Sequence, residues 1–327
     1  MKKSIPLYYM MLLAVISVAA IVFLYSRPPV IVENKCTDLQ INIMRSVDYK
    51  YTKPLLLLDI YPEDPSFFGV KTSLQSFIES EKGTGKLQSA SVYVRKVSGG
   101  KWFSVNPDEQ YSPGSVMKVA MLLTYLREAE SNPSVFDRKI NFVNHFSETL
   151  VQTIVSNVLK PGKSYTVREL LDYMIIDSDN DATALLNNNA NMSIYFSMLK
   201  GLKLSRPGIN QPDYPINVTQ CSFFLRMLYA STFLSPEMSE YALELLTRSK
   251  FDIGITKTLP HEIAVAHKFG ERNSTDNMQL HETAIVYFED SPYLITVMTK
   301  GKDQTELSHV LEGVSSIVFE YMKNVKS

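Results

Sequence analysis

The chain has 327 residues, of which 45% are hydrophobic, 20% charged and 11% aromatic, a composition that excludes a disordered, collagen-like or disulfide-framework protein and provides for a substantial core. Its 33 lysines and arginines against 34 aspartates and glutamates leave a formal charge of −1, so no global field recruits a nucleic-acid backbone, and no nucleic-acid partner is expected.

The first element is apolar. Lys2 and Lys3 precede residues 5–25, a run of 21 without formal charge. At helical rise such a run covers roughly 30 Å, the thickness of a hydrocarbon core. Ser17, Ala19 and Ala20 are small, yet the apolar run continues beyond them, which favours an uncleaved signal-anchor over a cleaved secretory peptide or a buried helix. The expectation is a single-pass cell-membrane protein holding the lipid bilayer through residues 5–25, with the bulk of the chain extracytoplasmic. Three domains follow: 1–26, cytoplasmic stub and transmembrane signal-anchor; 27–65, extracytoplasmic connector; and 66–327, the functional domain.

The connector holds Pro28, Pro29, Pro54, Pro62 and Pro65 around the apolar run 55–60, which suits one strand against a neighbouring surface. Spacing predicts a helix over 71–82, with Leu74, Phe77 and Ile78 on one face, stopped by Gly83 and Gly85. A hairpin follows, 89–97 and 101–105, joined through Gly99 and Gly100. From Ser115 onward the apolar period lengthens from two towards four, and helices are predicted over 116–129, 167–176, 182–189, 192–200, 219–231 and 236–246. Strand patterns return at 263–268, 280–288 and 293–299, before a last amphipathic helix over 305–322. Strands thus bracket helices. The simplest burial puts both strand groups in one antiparallel sheet, covers it with the terminal helices and packs the middle helices as a second lobe, leaving a cleft between lobes.

Three short motifs carry candidate chemistry. Ser115 and Lys118 lie three apart where a helix starts after the turn Ser112-Pro113-Gly114, so both occupy one face. A neutral lysine there can take the serine proton, and the unpaired N–H groups of a helix start favour an oxyanion. Ser178-Asp179-Asn180 follows an apolar helix: the serine can relay a proton, Asn180 can donate amide protons to a carbonyl, and Asp179 can brace the loop. Lys268-Phe269-Gly270 ends a strand, where a cation can meet a carboxylate and polarise Ser178, and where glycine lets a substrate backbone approach. Taken singly, each motif is also an ordinary cap or turn.

Their order is the informative feature: Ser-x-x-Lys, then Ser-x-Asn 63 residues later, then Lys-x-Gly 90 residues farther on. In this the chain resembles the serine β-lactamase and penicillin-binding transpeptidase superfamily, closest to the class A β-lactamase-like branch, over about 71–322. The resemblance implies an α/β (α+β) fold, class A β-lactamase-like: an antiparallel sheet flanked by helices plus an all-helical lobe, here with an N-terminal transmembrane helix. It implies Ser115 as nucleophile, Lys118 as its proton acceptor, Ser178 as proton shuttle and Lys268 as electrostatic clamp. Asn180 and Gly270 would bind substrate, and the backbone N–H groups of Ser115 and Glu271 would form the oxyanion hole.

Two departures from the family pattern stand out. Phe269 replaces the usual threonine or serine, removing a hydroxyl for a β-lactam carboxylate; Arg272 either supplies a donor fork in its place or belongs, with Glu271, to a solvated edge. The Glu-x-x-Leu-Asn loop that drives deacylation is missing. Asp213 and Asn217 have its four-residue spacing, with an acid one methylene shorter, and Asp213 reads either as a water-activating base or as a Pro-rich turn residue.

The remaining polar residues suggest no cofactor. The five histidines form no His-x-x-x-His pair, so no metal site is expected, and Cys36 and Cys221 read as free or inert thiols rather than a pair. Trp102 reads as core, Tyr111 as a cleft wall, and His267 either as tuning Lys268 or, by preference, as making an ordinary strand hydrogen bond. The expected function is a serine acyl-transfer hydrolase working through a covalent acyl-enzyme on a β-lactam or cell-wall peptide-like small molecule. The competing class is a catalytically weak or inactive penicillin-binding-like module for cell-wall peptides.

Overall fold

The computed structural model describes residue 8 and residues 40–146, 157–205, 214–273, 277–289 and 291–324. The chain divides into two units, Met1–Leu39 and Gln40–Ser327, and all described residues but Tyr8 belong to the second.

In chain order the second unit begins with β1 (Gln40–Arg45), β2 (Leu55–Tyr61), α1 (Phe68–Gly83), β3 (Leu87–Lys96) and β4 (Trp102–Val105). The helical middle comprises α2 (Lys118–Ser131), the short strands β5 (Lys139–Phe142) and β6 (Lys163–Thr166), α3 (Val167–Ile176), α4 (Asn180–Asn189), α5 (Met192–Gly201), α6 (Val218–Tyr229) and α7 (Pro236–Thr247). Strands β7 (Val265–Arg272), β8 (Met278–Val286) and β9 (Tyr293–Gly301) and the helix α8 (Gln304–Asn324) complete it.

Five strands form one antiparallel sheet in the order β4-β3-β9-β8-β7, so early and late strands meet between β3 and β9, as the pattern predicted. Period-two alternation assigns its faces. Val92, Val94, Ile295, Val297, Leu280 and Ala284 enter one core with residues of α1 and α8. Tyr93, Leu294, Met298 and Ile285 enter the other, with the helical lobe. At the centre of that lobe α2 is buried at every position from Lys118 to Leu126. Helix starts are capped from the sequence: Thr166 with Glu169 and Asn217 with Gln220 form reciprocal capping boxes, and Asp179 caps α4.

The stretch read as a connector contributes, from Gln40 onward, two strands instead of one: β1 and β2 pair as a separate antiparallel hairpin. Asp59 of β2 anchors it. Its carboxylate accepts from Arg226 Nη2 at 2.5 Å and Arg95 Nη1 at 3.2 Å, all three side chains being largely buried.

The expected transmembrane helix is not supported, and with it fall the bilayer contact through residues 5–25, the single-pass membrane localisation and the signal-anchor. Among the described residues no helix is long and apolar enough to cross a membrane. Of residues 5–25 only Tyr8 is described. The longest described helix, α8, has 21 residues but is amphipathic, with Leu307, Leu311, Val314 and Val318 in the core and Glu320 and Lys323 exposed.

Candidate active site

Ser115 sits in a 3-10 turn, Gly114–Met117, that runs directly into α2; the first α-helical turn expected there is tightened. Two glycines let this turn lie against β7. Gly114 has φ +54, and a Cβ on it would come within 2.7 Å of Glu271 O. A Cβ on Gly270 would come within 2.4 Å of Pro113 O. The turn carrying Ser115 and the backbone of Gly270-Glu271 are therefore in direct apposition, an approach that side chains would block.

Lys118 is 5% exposed, and its amine donates to the backbone carbonyl of Ser178, to Ser178 Oγ at 3.2 Å and to Asn180 Oδ1 at 2.8 Å. Lys268, fully buried, donates to the same Ser178 Oγ at 2.8 Å from β7. Ser178 is itself buried and has φ 55, in the left-handed region that non-glycine residues rarely adopt. That conformation directs carbonyl and hydroxyl together at Lys118. Asp179 holds the loop in shape: Oδ1 accepts from Ala182 N at 2.6 Å and Oδ2 from Leu159 N at 3.2 Å. Because Asn180 Oδ1 faces Lys118, its amide donors are directed elsewhere, as carbonyl binding requires.

Burial pulls the Lys118 amine down to about 7, although the carboxylates of Asp179 and Glu271 oppose it. The Lys268 amine is driven well below the usual lysine range, first by burial and then by the nearby Lys118, with Glu271 and Glu282 opposing. Two amines at one hydroxyl cannot both hold a proton cheaply in a dry interior.

The other candidates are less uniform. Arg272 Nη1 donates to Ser112 Oγ at 2.9 Å. Glu271 Oε2 accepts from Gln304. Asn217 caps α6, with Oδ1 taken by Gln220 N and its own N–H given to Gln220 Oε1. Asp213 lies outside the described residues. Tyr111 is buried instead of lining a cleft; its backbone pairs with Ile216, and its hydroxyl meets Ser91 Oγ at 2.9 Å.

Phe269 leaves the cleft face of the strand, yet its ring stays beneath the Lys268 amine, with Nζ 4.2 Å from the ring centroid. Lys268 and Phe269 alternate across the strand, so the ring enters the opposite core and stacks on Phe251 with centroids 4.3 Å apart. On the same side His267 Nδ1 meets Glu282 Oε1 at 2.7 Å, and Glu282 Oε2 accepts from Ile255 N, a buried pair that the strand-bond expectation did not include. Cys221 is a free, buried thiol pushed up to about 12 by burial, and Cys36 lies outside the described residues. No group of three metal-ligating side chains occurs among the described residues.

A serine opening a central helix, two buried lysines and a Ser-x-Asn loop at the edge of an antiparallel sheet define the serine β-lactamase and penicillin-binding superfamily. Residues 70–322 match the beta-lactamase enzyme family, and the chain belongs to it. Its fold is similar to that of a PBP-A mutant solved as an acyl-enzyme complex with penicillin G (TM-score 0.68, 17% identity, 81% of this chain and 100% of that one). It is also similar to a β-lactamase from Sphaerobacter thermophilus (TM-score 0.65, 16% identity, 78% and 99%) and a class A β-lactamase from Mycobacterium abscessus (TM-score 0.63, 20% identity, 78% and 99%). Among curated proteins none matches the sequence.

Proposed function

We propose that this protein is a serine acyl-transfer hydrolase that forms a covalent acyl-enzyme at Ser115 on a β-lactam or related peptide-like amide. The observation that carries the reading is the meeting of Lys118, Lys268 and Asn180 around Ser178, beside the turn that carries Ser115 and packs against β7 through Pro113, Gly114 and Val116. Neutral Lys118 takes the Ser115 hydroxyl proton as Oγ attacks the carbonyl carbon. The oxyanion is held by the N–H groups of Ser115 and Glu271, and Asn180 donates to the acyl side chain. As the C–N bond breaks, the Ser178 hydroxyl protonates the departing amine and is reprotonated through the lysines on its oxygen. Lys268 offers its charge to the substrate carboxylate.

Release of the acyl group is slow in this reading, because the Glu-x-x-Leu-Asn loop whose carboxylate would activate a hydrolytic water is missing from the sequence. Intact-protein mass spectrometry after incubation with penicillin G tests the proposal. A stoichiometric adduct mapped to Ser115 and absent from Ser115→Ala is expected. Saturable binding without an adduct would instead make the chain a penicillin-binding-like module without acyl transfer.

A further inference from the structure

Three residues before the proposed nucleophile, Ser112 has each of its polar groups held by a different side chain of β7 or β8. Its N–H donates to Gln279 Oε1 at 3.0 Å. Its hydroxyl accepts from Arg272 Nη1 at 2.9 Å. Its carbonyl meets His281 Nε2 at 3.0 Å. The last bond has a fixed sense, because His281 Nδ1 accepts from the backbone N–H of Thr299 at 3.1 Å, which leaves Nε2 to carry the hydrogen and donate to Ser112 O. His281 is fully buried and Gln279 is 5% exposed, so water competes poorly with these bonds. The Tyr111 ring stands edge-on to the imidazole, centroids 5.3 Å apart. In register His281 lies opposite Gly270, the residue whose missing side chain admits the turn.

We infer that Gln279, Arg272 and His281 are positioning residues which, through Ser112, set the approach of Ser115 to the scissile carbonyl; the inference rests on Ser115 being the nucleophile. A 3-10 turn is short and has few internal bonds, so its orientation has to be imposed from outside. A nucleophile misplaced by about 1 Å forfeits on the order of 100-fold in rate, while noncovalent substrate binding elsewhere in the cleft is little altered.

The test measures the acylation rate constant and the dissociation constant separately with a fluorescent penicillin, alongside hydrogen exchange of the segment 112–118. Expected for His281→Phe and Gln279→Met is acylation slowed by about 100-fold, an unchanged dissociation constant and faster exchange at 112–118. Gln279→Glu, which keeps an acceptor for the Ser112 N–H, should recover most of the rate. Folded variants that acylate at the wild-type rate with unchanged exchange overturn the inference. Ser112→Ala, which loses only the hydroxyl contact, replaces either variant that does not unfold cooperatively. Should the wild type form no adduct, the nucleophile assignment fails separately, and exchange alone decides: faster exchange at 112–118 in the variants supports the anchoring, and wild-type exchange overturns it.

Discussion

Lys268, on the sheet, reaches across the cleft to Ser178, on the helical lobe, with Nζ 2.8 Å from Oγ. A single hydroxyl thereby joins the two layers, and Lys118, from α2, approaches the same oxygen at 3.2 Å. The protonation of this trio, more than any one residue, governs what the site can do.

The rate of Ser115 acylation should rise with pH around a midpoint near 7. In the proposed mechanism the base is neutral Lys118, whose amine burial brings down to about 7, so protonation below that value removes the acceptor. Single-turnover acylation between pH 5 and 9 measures this, and a flat profile would separate Lys118 from proton transfer.

Lys118→Met should abolish acylation and change how stability depends on pH. The wild-type lysine is lowered from 10.5 to about 7 in the folded state, so between these values the unfolded chain binds more protons and wild-type stability rises with pH. The variant lacks this contribution. Denaturation of both proteins at pH 7 and near pH 10 should therefore show the balance shifting toward the wild type as pH rises; a constant difference would refute the lowered value.

Restoring the hydroxyl of the family motif with Phe269→Thr should destabilise the protein by about 3 kcal/mol, since it removes a buried ring stacked on Phe251. Chemical denaturation gives the number. A loss of well under 1 kcal/mol would mean that the opposite core closes around the smaller side chain.

Asp59→Ala should cost about 3 to 5 kcal/mol, because it leaves the buried guanidinium of Arg226 and the largely buried one of Arg95 without their shared carboxylate. Unfolding followed in Asp59→Ala and Arg226→Met tests this. Near-additive losses in the double variant would show that the two side chains do not act as a pair.

Local order along the chain determined a good part of this protein. The i, i+3 spacing of Ser115 and Lys118 is a property of any helical turn, and the helix over 167–176 follows from a 3.6-residue apolar period. Alternation by two was enough to place early and late strands in one sheet. Strands β1, β5 and β6 escaped because four to six residues are too few for alternation to stand out, and the apolar run at 5–25 was read from its length and its flanking residues. What only tertiary structure decided are contacts between residues far apart in sequence. The register of β7 against β8 brings His281 and Gln279 to Ser112, and the pleat packs Phe269 on Phe251 in the opposite core, its ring beneath the Lys268 amine that reaches the cleft. Spacing specifies which side chains share a face of one element; which elements meet, and which polar groups must then satisfy one another out of water, depends on how the whole core closes.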